Sequence, residues 1–269
     1  MEKLFVRSAA GQLNFAAATL NPQRKPMNQH LVLPVIHVTS GSSDPEATAH
    51  RNANLAFEEG ADGVFIIGHG YTGDLIALAN EIKAVGSERW VGVNCLNLDT
   101  HEVIERAAGL DAVWTDNAEI DETGTNHWYP HYVWLLKNFL YWNERKCDEC
   151  GNVSKTKMAY FGGLAFKYQR KIVNLEAAAR EASKYMDFIC TSGDGTGHAP
   201  EVHKIKELAK GASVPIAIAS GITPENVTKY LPYAKAFLVA TGISSDFDNL
   251  NRELVAALIR EVRAYKPAK

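Results

Sequence analysis

Residues 215–243 read PIAIASGITPENVTKYLPYAKAFLVATGI: an apolar run, a glycine turn, a helix-like stretch, a second apolar run and a second glycine turn. The two apolar runs, Pro215–Ala219 and Ala236–Ala240, have the composition of buried strands. Parallel strands need a crossover connection between them, which is usually a helix. This stretch therefore predicts two successive β-α units of a parallel sheet.

The same alternation occurs eight times along the chain. The predicted strands are Val32–Val38, Gly63–Gly68, Trp90–Cys95, Ala112–Thr115, Met158–Ala165, Phe188–Thr191, Pro215–Ala219 and Ala236–Ala240. The predicted helices are Glu46–Glu59, Leu75–Val85, Thr100–Ala108, His127–Arg145, Leu175–Tyr185, Pro200–Lys210, Pro224–Leu231 and Asn249–Tyr265. Eight β-α pairs predict an α/β fold of the (β/α)8 TIM barrel type over residues 31–269, in one domain with an N-terminal extension of about 30 residues. An open doubly wound sheet would need a GxGxxG turn after its first strand, but residues 39–43 read TSGSS.

Composition and charge narrow the function classes. The chain has 269 residues, of which 46% are hydrophobic and 22% charged, and its net charge is -3. Such a chain can build a large core, and it has no basic footprint for a nucleic acid. Polar residues interrupt the N-terminal apolar pieces Leu4–Val6 and Phe15–Leu20 before they reach signal-peptide or membrane length. We therefore expect a cytoplasmic protein with no nucleic-acid partner and no membrane partner.

The two glycine turns of residues 215–243 follow the predicted seventh and eighth strands. Phosphate groups commonly bind at these two loops in barrels of this type. Glycine lets the backbone approach an anion, and a helix that starts at Pro224 would point its free N–H groups at the ligand. Plain turn chemistry is the alternative. The predicted phosphate ligands are Ser220, Gly221, Ile222, Thr241, Gly242 and Ile243.

The loop after the sixth strand, residues 191–198, reads TSGDGTGH and is the most glycine-rich stretch of the chain. Three glycines among small polar residues leave many N–H groups free for an anion or a ribose. The alternative is a mobile loop with a solvated carboxylate. The residues predicted to contact the ligand are Ser192, Gly193, Asp194 and Gly195.

Polar side chains also end the other predicted strands, and three of them are predicted to be catalytic. Asp116 beside the apolar Trp114 is a candidate general acid or base, since an apolar wall raises the pKa of a carboxyl group. Lys167 is a candidate cation or nucleophile, and His69 lies between two glycines at the rim. A surface or ion-paired role is the alternative for each, and a core role is the alternative for His37. The remaining predicted substrate-binding residues are His37, Asn94 and Asn117.

No metal or cofactor is predicted, because the histidines are scattered and no HxH, HxxxH or DxD spacing joins them at the strand ends. Cys147 and Cys150 form one CxxC followed by a glycine, which resembles half of a zinc knuckle. Two free thiols, or a zinc site shared across a dimer, are the two interpretations. Cys95 and Cys190 fall inside apolar runs, so the cysteines are not a disulfide framework.

The predicted fourth helix, His127–Arg145, is unusually aromatic. Aromatic residues on more than one face of a helix indicate a subunit contact in addition to a core face. The sequence thus raises the expectation of a homo-oligomer, with a helix that has one broad buried face as the alternative.

Six segments of the chain resemble the BtpA/SgcQ family of (β/α)8 barrels, from the first strand to the last helix. They are residues 35–38 (VIHV), 62–64 (DGV), 94–96 (NCL) with Asp99, the loop 191–197, 220–227 (SGITPENV) and 239–242 (VATG). The segment at 220–227 is the most specific, and phosphoribosylanthranilate isomerases carry something close to it. The chain departs from the family at residues 67–70 (IGHG), where the family has an acidic residue and an asparagine, and in its CxxC segment.

The resemblance implies a barrel with a sugar-phosphate or phosphoribosyl ligand. Some members of the family are linked to photosystem assembly and others to sugar metabolism. Together with the residues above, it favours an enzyme that acts on a phosphorylated sugar or nucleotide-like molecule, by ribosyl or phosphoribosyl transfer or hydrolysis. A sugar-phosphate isomerase or aldolase-type lyase is the second hypothesis, with Lys167 as a Schiff base in the lyase. A non-catalytic assembly or regulatory protein is the third.

Overall fold

The computed structural model describes residues 29–125, 130, 142–146 and 153–266. The strands are β1 (Leu31–Thr39), β2 (Val64–His69), β3 (Val91–Asn94), β4 (Ala112–Thr115), β5 (Ile120–Asp121), β6 (Gly124–Thr125), β7 (Trp142–Lys146), β8 (Val153–Lys157), β9 (Ala159–Gly163), β10 (Phe188–Thr191), β11 (Ile216–Ile218) and β12 (Ala236–Val239). The α-helices are α1 (Pro45–Glu58), α2 (Leu75–Ala84), α3 (Thr100–Arg106), α4 (Leu175–Ala182), α5 (Val202–Gly211) and α6 (Arg252–Ala264).

Eight of the strands form a closed parallel barrel, in the spatial order β1, β12, β11, β10, β9, β4, β3, β2. The first strand closes it, because β1 pairs with β12 at one edge and with β2 at the other. The strand pairs β5–β6 and β7–β8 are antiparallel hairpins in the connection between β4 and β9. The (β/α)8 barrel predicted from the sequence is confirmed.

The barrel interior is filled by alternate residues of the strands, as the two-residue period of a strand requires. Large rings come from β2, β4, β9 and β10, and Phe65 contacts the rings of both Trp114 and Phe161. Small residues leave room for these rings: a Cβ on Gly92 would lie 2.3 Å from the ring of Phe65. Alanines at 217 and 236 line the opposite strands β11 and β12.

Apolar faces of the helices pack on the outside of the barrel and form a second core. Several helices begin at a capping side chain, as with Asp74, which accepts the N–H groups of Ile76 and Ala77 at the start of α2. Asn174 and Asn251 cap α4 and α6 in the same way. Among the described helices, none is long and apolar enough to cross a membrane.

Three aspartates, each just before a strand, repeat one contact at the N-terminal end of the barrel. Asp62 Oδ2 accepts the N–H of Val32 at 2.8 Å, and Asp111 and Asp187 accept the N–H groups of Val91 in β3 and Tyr160 in β9 at the same distance. A basic residue pairs with two of them: Arg263 with Asp62 at 2.6 Å, and Lys83 with Asp111 at 2.9 Å. Each carboxylate accepts a strand N–H at a position where the neighbouring strand has not yet begun.

Two predicted helices differ from the structure. Residues 142–146 form β7, so the predicted end of the helix His127–Arg145 is wrong; the antiparallel partner Val153–Lys157 provides backbone hydrogen bonds that the aromatic periodicity did not reveal. Of the rest of that segment, Pro130 is helical and the other residues lie outside the described part.

The predicted helix Pro224–Leu231 is also wrong, since the structure has only a 3-10 turn at Val227–Lys229. Asn226 is the physical reason. Its Oδ1 accepts the N–H of Thr223 at 2.9 Å, and its Nδ2 donates to the carbonyl of Gly221 at 2.8 Å. A side chain that bonds the local backbone in this way competes with the helix.

The structure describes only part of the remaining expectations. Cys95 and Cys190 are buried free thiols. Cys147 and Cys150 and residues 1–28 lie outside the described residues, so the role of the CxxC and of the extension stays a prediction.

We expect Asp111→Ala to lower the free energy of unfolding by about 2–4 kcal/mol, since it leaves the amide of Val91 and the ammonium of Lys83 without this carboxylate. Urea unfolding measures the change. Glu58→Ala is the matched control: it breaks an exposed pair with Arg252 and should cost less than about 1 kcal/mol. Equal losses in the two variants would show that the aspartate contact at the start of β3 is not special.

Candidate active site at the mouth of the barrel

The carboxyl ends of the eight strands form one open face, the mouth of the barrel. Most polar residues predicted at the strand ends meet there. Asn94 donates directly to Asp116, and Lys167 lies close enough for its charge to shift the pKa values of both Asp116 and His69. His37 contacts the ring of His69 with 4.9 Å between the ring centroids. The three predicted catalytic residues therefore share one site.

Asp116 is held by contacts from β3, from β9 and from the loop after β9. Nδ2 of the buried Asn94 donates to its Oδ1 at 3.0 Å, and Nε2 of Gln169 donates to its main-chain carbonyl at 2.5 Å. Gly163 lies directly beneath that carbonyl, since a Cβ there would come within 1.9 Å of the oxygen. Residue 163 must therefore be a glycine, because any side chain there would collide with the backbone at Asp116.

Burial raises the pKa of the Asp116 carboxyl above its ordinary value. The hydrogen bond from Asn94 and the positive charges of Lys167 and of protonated His69 act in the opposite direction, but burial is the larger effect. A carboxyl group with a raised pKa keeps its proton to higher pH, which suits a general acid.

His37 and His69 form an aromatic cluster with Phe247 on the β1 and β2 side of the mouth. The His37 ring stacks on Phe247 with 4.2 Å between centroids, and its Nδ1 lies 2.9 Å from the Phe247 carbonyl. A carbonyl only accepts, so Nδ1 carries the proton. Burial lowers the pKa of His37 to about 4, so the neutral ring presents Nε2 as an acceptor at neutral pH.

Burial also lowers the pKa of His69, and the positive charge of Lys167 acts in the same direction. Its imidazole contacts the rings of His37 and Phe247 and makes no hydrogen bond to another described residue. His69 therefore offers a neutral imidazole whose nitrogens are available to a ligand.

Lys167 lies on a strained loop after β9. Ala165 and Tyr168 have φ values of 50° and 63°, a left-handed conformation that is uncommon for residues other than glycine. The main-chain N–H of Lys167 donates to the hydroxyl of the buried Ser192 at 2.8 Å, and its Nζ lies 3.4 Å from the hydroxyl of Thr196. Such strain persists only where surrounding contacts hold it.

Lys204 on α5 supplies one of those contacts. Its Nζ donates to the carbonyls of Ala165 at 2.5 Å and of Ser192 at 2.6 Å, so it joins the loops after β9 and β10. Burial lowers the pKa of Lys204 to about 8. Lys204 therefore positions the loop that carries Lys167.

Arg170, on the same loop, anchors it to the hairpin β5–β6. Its guanidinium lies 2.8 Å from Asp121 and 3.0 Å from Glu122. Hydrogen bonds from Thr123 and from Arg170 lower the pKa of Asp121 to about 2. The hairpin thus fixes the outer end of the Lys167 loop.

The loops after β10, β11 and β12 pack backbone against backbone. A Cβ on Gly193 would lie 2.2 Å from the His198 carbonyl, one on Gly221 would lie 2.0 Å from the Ala199 nitrogen, and one on Gly242 would lie 1.9 Å from the Ile222 carbonyl. These three glycines are therefore required by contacts within the protein. The Ser220 hydroxyl also donates to the carbonyl of Gly195 at 3.2 Å, so the predicted ligand loops meet.

Some amides of these loops are occupied and others are available. The N–H of Ile243 donates to the carbonyl of Ala240 at 2.9 Å, and the N–H of Thr223 is capped by Asn226. Within the described part of the chain, the N–H groups of Gly221, Ile222 and Gly242 have no acceptor. The helix dipole expected after Gly221 is missing, because the helix is only a short 3-10 turn.

Two predicted ligands are less well placed. Asn117 is exposed and its Oδ1 caps the N–H of Glu119, which is the contact of a turn. Asp194 is also exposed, although its charge acts on Lys204. Among the described residues, no three His, Cys, Asp or Glu side chains cluster closely enough to hold a metal ion.

A cleft of about 570 Å³ opens beside His69, between the loops after β2 and β3. No strand-end motif indicated it. Its lining includes Tyr71, Asp74, Leu96 and Arg106.

The sequence reasoning also missed Lys204 and Phe247. Lys204 had a detectable signal, since it lies one helical turn before Leu208 on the buried face of α5. Phe247 is the single aromatic residue in the polar segment 244–249, which reads SSDFDN. That pattern could have indicated an anchored loop above the mouth.

Comparison with known proteins finds sequence similarity over a short stretch and structural similarity over most of the chain. A curated N-(5'-phosphoribosyl)anthranilate isomerase from Haloarcula marismortui is 32% identical over 73 residues, which is 26% of this chain and only about a third (34%) of that protein. A phosphoribosyl anthranilate isomerase structure from Thermus thermophilus has a TM-score of 0.54 at 16% identity, with 86% of this chain and 98% of that chain covered. A Mycobacterium tuberculosis tryptophan synthase structure has a TM-score of 0.59 at 10% identity, with 89% and 95% covered. At such low identity, the structural matches show the fold alone.

The model of the BtpA family matches residues 152–263, which run from the segment before β9 to α6. This part holds Lys167, Lys204 and all three glycine loops of the mouth. The match confirms the resemblance over these residues, which hold three of the six segments: the chain is a (β/α)8 barrel whose residues 152–263 are similar to the BtpA family.

Proposed function

We propose that this protein is an enzyme that breaks or transfers a bond at the sugar carbon of a phosphorylated sugar, most simply a phosphoribosyl compound. The observation that carries the proposal is Asp116, a half-buried carboxyl group with a raised pKa that lies near Lys167 and His69 at the mouth of the barrel. Active sites of this fold lie at that face.

The phosphate group is assigned to the loops after β11 and β12. The free N–H groups of Gly221, Ile222 and Gly242 supply donors there, and close backbone packing of the loops fixes them in place. Preorganised amides bind an anion without reorganisation, and they do so without the full helix that the sequence suggested.

The spatial order of the strands separates this phosphate site from the acid. Counted around the barrel, β12 lies four strands from β4, which is the greatest separation that eight strands allow. A sugar phosphate anchored after β12 therefore extends across the mouth toward Asp116. The arrangement also keeps the carboxylate away from the phosphate, which it would repel.

Asp116 acts in this proposal as the general acid that protonates the leaving group, because its raised pKa favours the protonated form. Lys167 stabilises negative charge that develops on the leaving atom. Neutral His69 orients the sugar through a hydrogen bond. The partial match to a phosphoribosylanthranilate isomerase supports a phosphoribosyl compound as substrate, and the site also suits acid-catalysed isomerisation.

The phosphate site is tested with Thr241, an exposed residue next to Gly242. We expect ribose 5-phosphate, but not ribose, to raise the melting temperature of the wild-type protein, because a ligand that binds only the folded state stabilises it. Thr241→Glu should weaken ribose 5-phosphate binding at least about tenfold, since a carboxylate would repel the phosphate.

Thr241→Gln is the matched control, with nearly the same size and no charge. It should retain most of the affinity in the same titration. If the two variants bind ribose 5-phosphate equally well, the phosphate does not lie after β12.

Asp116→Asn should lower kcat by at least about 100-fold while ribose 5-phosphate still binds, because the amide keeps the shape and cannot donate a proton as an acid. The substitution should also stabilise the fold at pH 7 by about 1 kcal/mol, because the amide has no charged form for partial burial to disfavour. Turnover, ligand binding and thermal unfolding are measured on the same preparation.

The pH dependence of stability tests the direction in which the pKa of Asp116 is shifted. The folded pKa of Asp116 is raised, so wild-type stability from this group is fully present below the unfolded pKa of about 4 and is lost as the pH rises through the folded pKa. The stability difference between Asp116→Asn and wild type should therefore vanish near pH 3. A difference that is constant from pH 3 to 7 would contradict a raised pKa for Asp116 in the folded protein.

The lyase alternative predicts a Schiff base on Lys167, and borohydride separates it from the proposal. We expect no reduced adduct on Lys167 after treatment with ribose 5-phosphate and borohydride, as measured by mass spectrometry, because the proposal uses this lysine as a cation. Lys167→Met serves as the control for adducts at other lysines. An adduct that the control lacks would establish the lyase mechanism instead.

A further inference from the structure

The cleft between the loops after β2 and β3 lies beyond the reacting centre, on the far side from the phosphate loops. Counted around the barrel, β3 lies four strands from β11. His69 belongs both to the mouth and to the cleft wall. A substrate that reaches from β11 and β12 past Asp116 and His69 therefore has its remaining part at this cleft.

We infer that the cleft binds a second, uncharged polar ring on the same substrate, the group that leaves or migrates when the bond at the sugar carbon changes. This inference rests on the proposed function. Its volume, about 570 Å³, lies within the range of small-molecule sites. A cleft of that size holds one ring system together with water.

One wall of the cleft is apolar. Leu75, Ile76 and Leu98 line it together with the buried Cys95. Burial raises the pKa of the Cys95 thiol to about 12, so this side chain stays neutral and serves as part of a hydrophobic surface. Leu96, about half exposed, lies at the same cleft and adds apolar area that a bound ring would cover.

The other wall is polar but does not favour an anion. Arg106 pairs with Asp74 at 3.3 Å and with Glu102 at 3.4 Å, so this group of three charges has a net charge of -1. His69 is held neutral by its lowered pKa. A second phosphate or carboxylate would therefore be repelled, whereas the hydroxyls or ring nitrogens of a neutral group find donors and acceptors.

Glycines keep the polar wall open. Gly70 has a φ of 70°, and a Cβ on Gly73 would lie 2.3 Å from the hydroxyl of Tyr71. That hydroxyl donates to Glu46 at 2.6 Å, which fixes the Tyr71 ring along the cleft. The residues at 68–70, where the sequence departs from the BtpA/SgcQ pattern, thus form part of this site. The departure coincides with the part of the mouth that would select the second ring.

The test compares three probes on the intact protein by calorimetry or thermal shift: ribose 5-phosphate, uridine 5'-monophosphate, and the disaccharide trehalose 6-phosphate. We expect at least one ring-bearing probe to bind about tenfold more tightly than ribose 5-phosphate, the discrimination that one well-fitted group commonly gives. A gain for the nucleotide identifies a heterocycle, and a gain for the disaccharide identifies a second sugar.

Leu96→Trp should fill the cleft and remove that tenfold gain while ribose 5-phosphate binds as before. Val85→Trp is the control, the same bulky change at another exposed apolar position, the end of α2, and it should retain the gain. The inference is overturned if neither ring-bearing probe binds more tightly than ribose 5-phosphate to the wild type, or if Leu96→Trp leaves the gain intact. If no phosphorylated probe binds at all, the proposed function fails first, so the two failures are distinguishable.

Discussion

Closure of eight parallel strands is the constraint on which the rest of this molecule depends. Because alternate residues of every strand point inward, the side chains of eight strands must fit into one interior volume. Here the rings of Phe65, Trp114 and Phe161 occupy much of it, and glycine or alanine stands where a larger side chain would collide. The same closure brings all the carboxyl ends to one face, so polar residues far apart in sequence become neighbours there.

That face combines two kinds of site with different physical requirements. The loops after β10, β11 and β12 are bound to one another through glycines, and the amides that remain free are main-chain groups that cannot change their charge. Around Asp116 and His69, by contrast, the side chains can gain or lose a proton, and burial shifts their pKa values toward the neutral forms. The proposed anion site and the proposed proton-transfer site thus lie on opposite strands of one rim.

Much of the fold could be predicted because apolar runs and small-residue turns repeat with a period that a barrel requires. The sequence predicted that Asp116, Lys167 and His69 lie near one another, because each follows a strand and the barrel topology brings the ends of the strands to one face. Contacts that depend on long-range backbone pairing were not accessible. The hairpin at Trp142–Lys146 and the side-chain caps of Asn226 replaced two predicted helices, because local periodicity does not report a partner strand or a competing side-chain bond.

The loop that carries Lys167 is strained at Ala165 and Tyr168 and lies beside Asp116 at the mouth. Lys204 on α5 holds one end of this loop with two left-handed residues, and Arg170 in the loop itself ties the other end to the β5–β6 hairpin. Lys167 lies between these two fixed points. A loop fixed in this way can present a positive charge to the mouth without the entropy cost of ordering it when the ligand binds. The positive charge beside the proposed acid Asp116 is then a property of the folded protein, present before any ligand binds.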